Sequence, residues 1–169
     1  MKILGFLAVV GAFSWIALVR ISVIKRTYRS LRQLGMTVKE MRASLASLQS
    51  PISELLLSAS EKTDGETGMF FRSIKEDMSG LCEHSFSEIW QKNVHEHLSI
   101  LPERDRNDLI ALGVFLGRFD LEDQLDACDR YLLSSTESIR EHETCLPEKI
   151  RLNLALCGAA AVFLCLLIL

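Results

Sequence analysis

The chain has 169 residues, of which 49% are hydrophobic and 24% are charged, and its formal net charge is −3 at pH 7. All 22 acidic residues lie between Glu40 and Glu148, together with 10 lysines and arginines, so this middle stretch has a net charge of −12. An acidic body repels phosphate, which argues against nucleic acid as a partner. The uncharged segments at both ends argue against most classes of soluble enzyme.

The first predicted element is a membrane span at Ile3–Val19, which contains no charged residue. A helix of this length is roughly 26 Å long, close to the thickness of the hydrocarbon core of a bilayer. A cleaved signal peptide is the alternative, but such a peptide has its positive charge before the apolar run and a small-residue cleavage site after it. Here only Lys2 precedes the run and no A-x-A pattern follows it. An uncleaved anchor is therefore the favoured interpretation.

The basic residues after this span predict its orientation. Six lysines and arginines and no acid lie between Arg20 and Lys39. Because positively charged flanks are retained in the cytoplasm, the residues after the span are expected on the cytoplasmic side. The same stretch can contact anionic lipid headgroups, at about 1 kcal/mol per charge near the surface. Membrane lipid is therefore one predicted partner.

The middle of the chain begins with an amphipathic helix. Its apolar residues are spaced alternately three and four apart: Leu31, Leu34, Val38, Met41, Leu45 and Leu48. This spacing places them in one stripe of an α-helix. Pro51 then ends this helix and is expected at the first position of a second helix.

Four further helices are predicted from the signals at their starts. Thr63–Glu66 and Ser85–Glu88 both have the spacing of a capping box, which opens helices three and four. Pro102 opens a fifth helix that ends at about Gly117, and Asp120 can cap a sixth. No alternating run is long enough for a strand. The predicted fold class is all-α, a bundle of about six helices flanked by an N-terminal and a C-terminal transmembrane helix.

A second membrane span is predicted at Leu152–Leu169, which also lacks charged residues. Its last eleven residues are apolar on every face, whereas a core helix of a small domain has one polar face. Lys149 and Arg151 precede this span and agree with the cytoplasmic orientation of the middle.

These elements divide the chain into three predicted parts. They are an N-terminal anchor at residues 1–24, a cytoplasmic helical domain at residues 25–148 and a C-terminal anchor at residues 149–169. Pro147 lies just before the second anchor, where proline should kink or break a helix or else start a new one. We expect it to mark the point where the domain meets the membrane.

The sequence contains no motif for catalysis or for a cofactor. It has neither the G-x-x-x-x-G-K-[ST] phosphate loop nor the H-E-x-x-H zinc motif. His95 and His97 are two residues apart and face different directions on a helix, which argues against a metal site. The five cysteines include no C-x-x-C pair. We expect no enzymatic activity, no cofactor, no metal and no small-molecule substrate.

A helix-packing motif is predicted in the segment LIALGVFLGRFDLEDQLDAC, residues 109–128. Gly113 and Gly117 lie four residues apart and therefore on one helix face. Glycine inside a helix costs up to about 1 kcal/mol of stability relative to alanine. A glycine at such a position usually allows another helix to approach closely. Alternatively, Gly117 is a left-handed C-cap. The motif comprises Leu109, Leu112, Gly113, Leu116 and Gly117, with Trp90 from the preceding helix.

An acidic cluster follows directly, at the predicted start of helix six. Its acids are Asp120, Glu122, Asp123, Asp126 and Asp129. On local pattern alone a solvated face is the favoured interpretation, since acids also suit the positive end of a helix. The functional interpretation is a docking surface for a basic partner. The candidate docking residues are Asp120, Glu122, Asp123, Gln124 and Asp126.

Segment 109–124 resembles the signature of the stage III sporulation protein AB family, which reads roughly L-x-x-L-G-x-x-L-G-x-S-D-x-x-x-Q. The agreement extends along the whole chain and includes Arg32–Leu34, Glu88–Trp90 and a terminal apolar run. The chain departs from the family where Phe119 replaces the serine before the aspartate. The soluble part is also similar to the cytoplasmic helical domain of the platform F protein of type II secretion and type IV pilus systems.

This resemblance implies a non-enzymatic platform protein of the sporulation channel, a secretion-like complex between mother cell and forespore that is required for endospore formation. The implied partners are other membrane proteins of that complex and a separate secretion-type ATPase. The implied location is the mother-cell side of the outer forespore membrane.

Two alternatives to this functional interpretation remain open. One is the platform protein of a true secretion or pilus system, although such proteins usually contain two copies of the helical domain and about three spans. The other is a membrane-anchored enzyme or signalling regulator.

Overall fold

The computed structural model describes residues 2–48, 51–80, 84–118 and 120–168. Within these residues every regular element is an α-helix, which confirms the predicted all-α fold of six helices. They are α1 (Lys2–Leu48), α2 (Ile52–Lys62), α3 (Gly65–Ser79), α4 (Phe86–His97), α5 (Glu103–Leu116) and α6 (Leu121–Ile168).

The two terminal helices are longer than predicted. The apolar run at Ile3–Val19 and the first amphipathic helix form a single helix of 47 residues, α1. Likewise, α6 has 48 residues and continues through Pro147, so the predicted break or new start at this proline is wrong. A proline inside a helix removes one backbone hydrogen bond, and the bonds on either side of it are enough to continue a helix of this length.

The chain forms two compact units. One consists of Met1–Arg26 with Arg140–Leu169, and the other is Thr27–Ile139. Among the residues that the structure describes, no helix combines the length and apolar character needed to cross a bilayer. The two flanking spans stay predictions.

The core of the Thr27–Ile139 unit is built around the predicted stripe of α1 and a group of aromatic side chains. Helices α2 to α5 pack in chain order, each against the next. The buried residues of the α1 stripe are Leu31, Leu34, Val38, Met41 and Leu45. Trp90, Phe70 and Phe71 are fully buried, and the Phe70 and Trp90 rings meet edge to face with centroids 5.0 Å apart. Burial of such large rings contributes strongly to the stability of a domain of this size.

Helices α1 and α6 are joined within this unit by an ion pair. Arg42 donates two hydrogen bonds to the Asp129 carboxylate, and the bond from Nη2 to Oδ2 is 2.8 Å long. These bonds hold the pKa of Asp129 below its usual value. About two turns before Arg42 on α1, Gly35 lies against α6, where a Cβ atom on it would be 3.1 Å from Ser135 Oγ.

One of the two predicted capping boxes is correct. Ser85 Oγ accepts a hydrogen bond from the Glu88 N–H at 3.3 Å, and the Glu88 carboxylate accepts one from the Ser85 N–H at 2.8 Å. The box at Thr63–Glu66 is wrong, because the Thr63 hydroxyl donates to the carbonyl of Ala59 in the helix before it. The N-cap of α3 is Asp64, one residue later, and its side chain makes no capping bond.

Prolines stand at the starts of two helices, α2 and α5. Pro51 was predicted at the first helical position of α2 and instead lies one position before it. Pro51 is the N-cap of α2 rather than its first helical residue, and Pro102 is the N-cap of α5. Both have extended ψ angles, 147° and 151° respectively, so the helical conformation begins at the next residue. Each proline still fixes where its helix starts.

Candidate helix-packing and docking site

The predicted packing motif lies at the contact between α4 and α5, where Gly113 faces Trp90. A Cβ atom built on Gly113 would be 2.1 Å from Trp90 Cδ1 and 2.4 Å from Cγ. The indole N–H donates a 2.8 Å hydrogen bond to the carbonyl of Leu109, one turn earlier on α5. The ring is therefore fixed in place, and no side chain larger than hydrogen fits at residue 113 without movement of the indole.

Gly117 makes a second, looser contact with α4. A Cβ atom on it would be 3.0 Å from Phe86 Cδ1. Gly117 is the C-cap of α5, but its φ of −79° and ψ of −1° lie in the right-handed region. The alternative of a left-handed C-cap is therefore wrong, and the absence of a side chain matters here for the approach of Phe86.

The leucines of the motif complete this contact from α5. Leu109, Leu112 and Leu116 are buried in the same core as Trp90. Spaced three and four residues apart, they form the inward stripe of α5. The structure thus places Gly113, Gly117 and the Leu109 carbonyl against α4, and the three leucines in the common core. Of the six motif residues only Gly117 is exposed.

The predicted docking residues at the start of α6 do not form one uniform surface. Asp120 Oδ1 accepts a 3.0 Å hydrogen bond from the Glu122 N–H, as expected of an N-cap. Glu122 and Asp126 are exposed, and Asp123 is half-buried. Gln124 is buried and donates from Nε2 to the carbonyl of Arg118. Its side chain holds the α5–α6 turn and is not available to a partner.

Basic residues that were not predicted lie beside these acids. The guanidinium carbons of Arg118 and Arg130 lie 4.6 Å and 5.0 Å from the centroid of the Phe115 ring. Arg118 Nη1 is also 3.6 Å from the Asp123 carboxylate. In the sequence, only the three-residue spacing of Phe115 and Arg118 could have indicated this group, because Arg130 joins it through the packing of α6 on α5.

The described residues show no site for a metal. No group of three or more His, Cys, Asp or Glu side chains converges among the described residues. Cys128 is buried, and burial raises the pKa of its thiol to about 11. It is therefore protonated at neutral pH and unsuited to act as a nucleophile. Cys82 and Phe119 lie outside the described residues.

The class of protein is an all-α chain with two long terminal helices and, between them in the sequence, four short helices that each pack against the next. The chain belongs to the stage III sporulation protein AB family, whose model matches residues 2–169. This match confirms the family predicted from segment 109–124 and associates the chain with sporulation.

A solved structure described as stage III sporulation protein AB (SpoIIIAB) has the same fold. Its TM-score is 0.65 at 15% sequence identity, and the alignment covers 72% of this chain and 97% of that chain. A comparison with curated protein sequences gives no significant match.

Proposed function

We propose that this protein is a non-enzymatic platform component of the membrane complex that connects mother cell and forespore during endospore formation. The observation that carries the proposal is the family match over residues 2–169, which includes both apolar ends as well as the helical bundle. The helical unit Thr27–Ile139 supports it, since this unit has its own buried core and exposed acids at the start of α6 that can steer a basic partner.

The test of this role is co-purification. The tagged full-length chain is isolated from sporulating cells in mild detergent, and the membrane proteins bound to it are identified by mass spectrometry. We expect other proteins of the same complex and, at lower occupancy, a secretion-type ATPase. Recovery of the chain alone, or recovery of a defined enzymatic turnover with it, contradicts the proposal.

In this proposal both ends of the chain anchor it in the membrane. Ile3–Val19 and Leu152–Leu169 are free of charge, and basic residues flank each of them on the side of the middle domain. The helical unit then faces the mother-cell cytoplasm at the outer forespore membrane, and basic residues from Arg20 onward contact anionic lipid headgroups.

The orientation predicts the behaviour of a fluorescent reporter that folds only in cytoplasm. Inserted at Ser99, which is exposed between α4 and α5, the reporter is expected to fluoresce, and fused after Leu169 it is expected to stay dark. An immunoblot for both fusions controls for expression. Fluorescence only from the fusion after Leu169 is the result that contradicts the orientation.

The exposed acids at the start of α6 are proposed to guide a basic partner. Complementary charge raises the rate of association and is screened by salt. The double variant Glu122→Lys with Asp126→Lys is expected to keep its melting temperature within about 2 °C of wild type, since exposed substitutions change stability little. It is also expected to recover less partner in the co-purification.

A matched control tests whether position matters. Glu61→Lys with Glu96→Lys makes the same change in charge at exposed positions of α2 and α4. We expect this control to recover its partners normally. If the α6 variant and the control behave alike, the acids at the start of α6 are only a solvated face.

A further inference from the structure

Helices α1 and α6 are in contact and run in opposite directions within the Thr27–Ile139 unit. Arg42 of α1 donates two hydrogen bonds to the Asp129 carboxylate of α6. Earlier on α1, a Cβ atom on Gly35 would be 3.1 Å from Ser135 Oγ, which is later on α6. The two contacts define the register of the pair. Residues of α1 and α6 whose numbers sum to about 170 lie at the same level.

Each of these helices has one large apolar side chain that points away from the core. Met36 of α1 is 58% exposed, and Leu133 of α6 is 74% exposed. Because a helix turns by about 100° per residue, Met36 lies almost opposite the buried Leu34. Leu133 lies almost opposite the buried Tyr131 in the same way. Since the two helices contribute to one core, their outer sides adjoin.

The register places Met36 and Leu133 at the same level to within about two residues, or about 3 Å along the helices. We call these two side chains the apolar pair, and the outer side of α1 and α6 around them the outer face. Both stand in the middle of long helices, so neither is exposed because a helix end frays.

Charged side chains of opposite sign lie beside the apolar pair. Lys39 of α1 is exposed and stands one turn before Arg42, so it lies on the side of α1 that borders α6. Asp129 lies on the side of α6 that borders α1, and its side chain is 47% exposed although it pairs with Arg42. A carboxylate has room for about four hydrogen bonds, so Asp129 can accept from a further cation. The outer face thus has a cation on α1 and an anion on α6.

We propose that the outer face binds the same face of a second copy of the chain, about a two-fold axis parallel to α1 and α6. Such an axis lays α1 of one copy on α6 of the other and preserves the level of every residue. Met36 of each copy then contacts Leu133 of the other, and Lys39 of each approaches Asp129 of the other. One self-complementary face supplies both halves of every contact, so the assembly closes at two copies.

The charges favour this arrangement over the other two-fold arrangement of the same face. An axis across the helices lays α1 on α1 and α6 on α6, which brings Lys39 near Lys39 and Asp129 near Asp129. Like charges placed opposite each other disfavour that alternative. The parallel axis also keeps the N-termini of both copies on the same side, as two copies anchored in one membrane require.

The size of the outer face indicates where the two copies associate. A contact of about three turns on two helices is smaller than the roughly 1,200 Å² that stable soluble complexes bury. Anchoring in one membrane raises the effective concentration of the copies, so a small interface is enough. The inference therefore rests on the membrane anchoring in the proposed function. Glu122 and Asp126 lie about 16 Å and 10 Å along α6 from Leu133, which leaves the start of α6 open to another partner.

The test is disulfide crosslinking between two full-length chains with different tags, produced together in a host that does not sporulate. One chain has Met36→Cys and the other has Leu133→Cys. The control pair combines Met69→Cys with Leu133→Cys, because Met69 is similarly exposed but lies on α3. Mild oxidation of the membranes is expected to give at least about fivefold more product with both tags from the first pair, since a disulfide requires Cα atoms within about 7 Å.

The charges are tested in the same crosslinking pair. Lys39→Glu in both chains replaces each attraction to Asp129 by a repulsion and should lower the yield at least about threefold. Lys39→Arg retains the charge and should retain the yield. Lys75→Glu makes the same change in charge at an exposed position of α3 and should have no effect. All the substituted side chains are exposed, so we expect each variant to fold, and melting curves of the purified chains check this.

Three results overturn the inference. They are a yield from the first pair no higher than from the control pair, a higher yield when both chains have Met36→Cys, and a yield that Lys39→Glu does not change. The host contains no other protein of the sporulation complex, so these results do not depend on that complex. If the complex co-purifies from sporulating cells and the crosslink fails, only the dimer is refuted. If the chain is found outside the membrane fraction, the anchoring is refuted, and the crosslink still decides whether the dimer forms.

Discussion

Gly113→Ala is the most informative single change, because two opposing effects act at this position. Alanine favours a helix over glycine by up to about 1 kcal/mol. In this structure, however, the new methyl group would lie 2.1 Å from Trp90 Cδ1, well inside contact distance. Trp90 is fully buried and is held by its hydrogen bond to Leu109, so it cannot move away without breaking that bond. Overpacking of a well-filled core typically costs about 1–3 kcal/mol, so we expect a net loss of stability.

The expected loss is large enough to measure. The helix propensity of alanine offsets up to about 1 kcal/mol of the overpacking cost, which leaves a net loss of up to about 2 kcal/mol. The 2.1 Å overlap puts the cost in the upper part of its range. For a domain of roughly this size, each kcal/mol lowers the melting temperature by about 4 °C, so Gly113→Ala should melt roughly 4–8 °C below wild type. The assay is circular dichroism at 222 nm on the purified full-length chain. Gly113→Leu should melt lower still.

Gly117→Ala is the matched control. Its new methyl group would lie 3.0 Å from Phe86 at an exposed position, where a small shift of the ring makes room. We therefore expect a change in melting temperature of no more than about 4 °C. An unchanged or raised melting temperature for Gly113→Ala would refute the reasoning, since helix propensity would then outweigh the contact. In that case the glycine face would be open to an outside partner.

Two further predictions concern a helix cap and a buried thiol. Ser85→Ala should lower the free energy of unfolding by about 1 kcal/mol in urea denaturation, whereas Asp64→Ala, at an N-cap without a side-chain capping bond, should cost clearly less. Equal losses would show that the hydrogen bonds of the capping box do not matter. Burial raises the pKa of the Cys128 thiol from its usual 9.0 to about 11, so above pH 9 the unfolded chain releases this proton before the folded chain does. The free energy of unfolding should therefore fall between pH 9 and 11, and fall less steeply in Cys128→Ala; identical pH profiles would contradict this.

The helices were predictable because their signals are local. The three-and-four spacing from Leu31 to Leu45 identifies both the helix and its buried face, and the structure buries each of those residues. The Ser85 capping box was also predictable, since both of its partners lie within four residues. At Thr63 the same pattern failed, because the carbonyl of Ala59 competes for the hydroxyl and lies in the preceding helix.

The parts of the candidate site that depend on the packing of helices could not be predicted. The spacing of Gly113 and Gly117 indicates that some neighbour approaches closely, but only the fold shows that Trp90 is the side chain in contact. In the same way, Arg130 stands twelve residues after Arg118, and no local pattern places both on one ring. The acidic cluster could be recognised in the sequence, whereas the positions of Arg118 and Arg130 beside it could not.

The packing motif and the charged surface are adjacent, and we expect the motif to affect binding as well as stability. Gly113 lets α5 approach Trp90, and the turn after Gly117 then places Arg118 beside the start of α6. The buried Gln124 fixes that turn through the Arg118 carbonyl. A substitution at Gly113 should therefore disturb partner binding through the position of the acidic start of α6 as well as through stability. Substitution of the exposed Glu122 and Asp126 should disturb binding alone, and this separates the two effects.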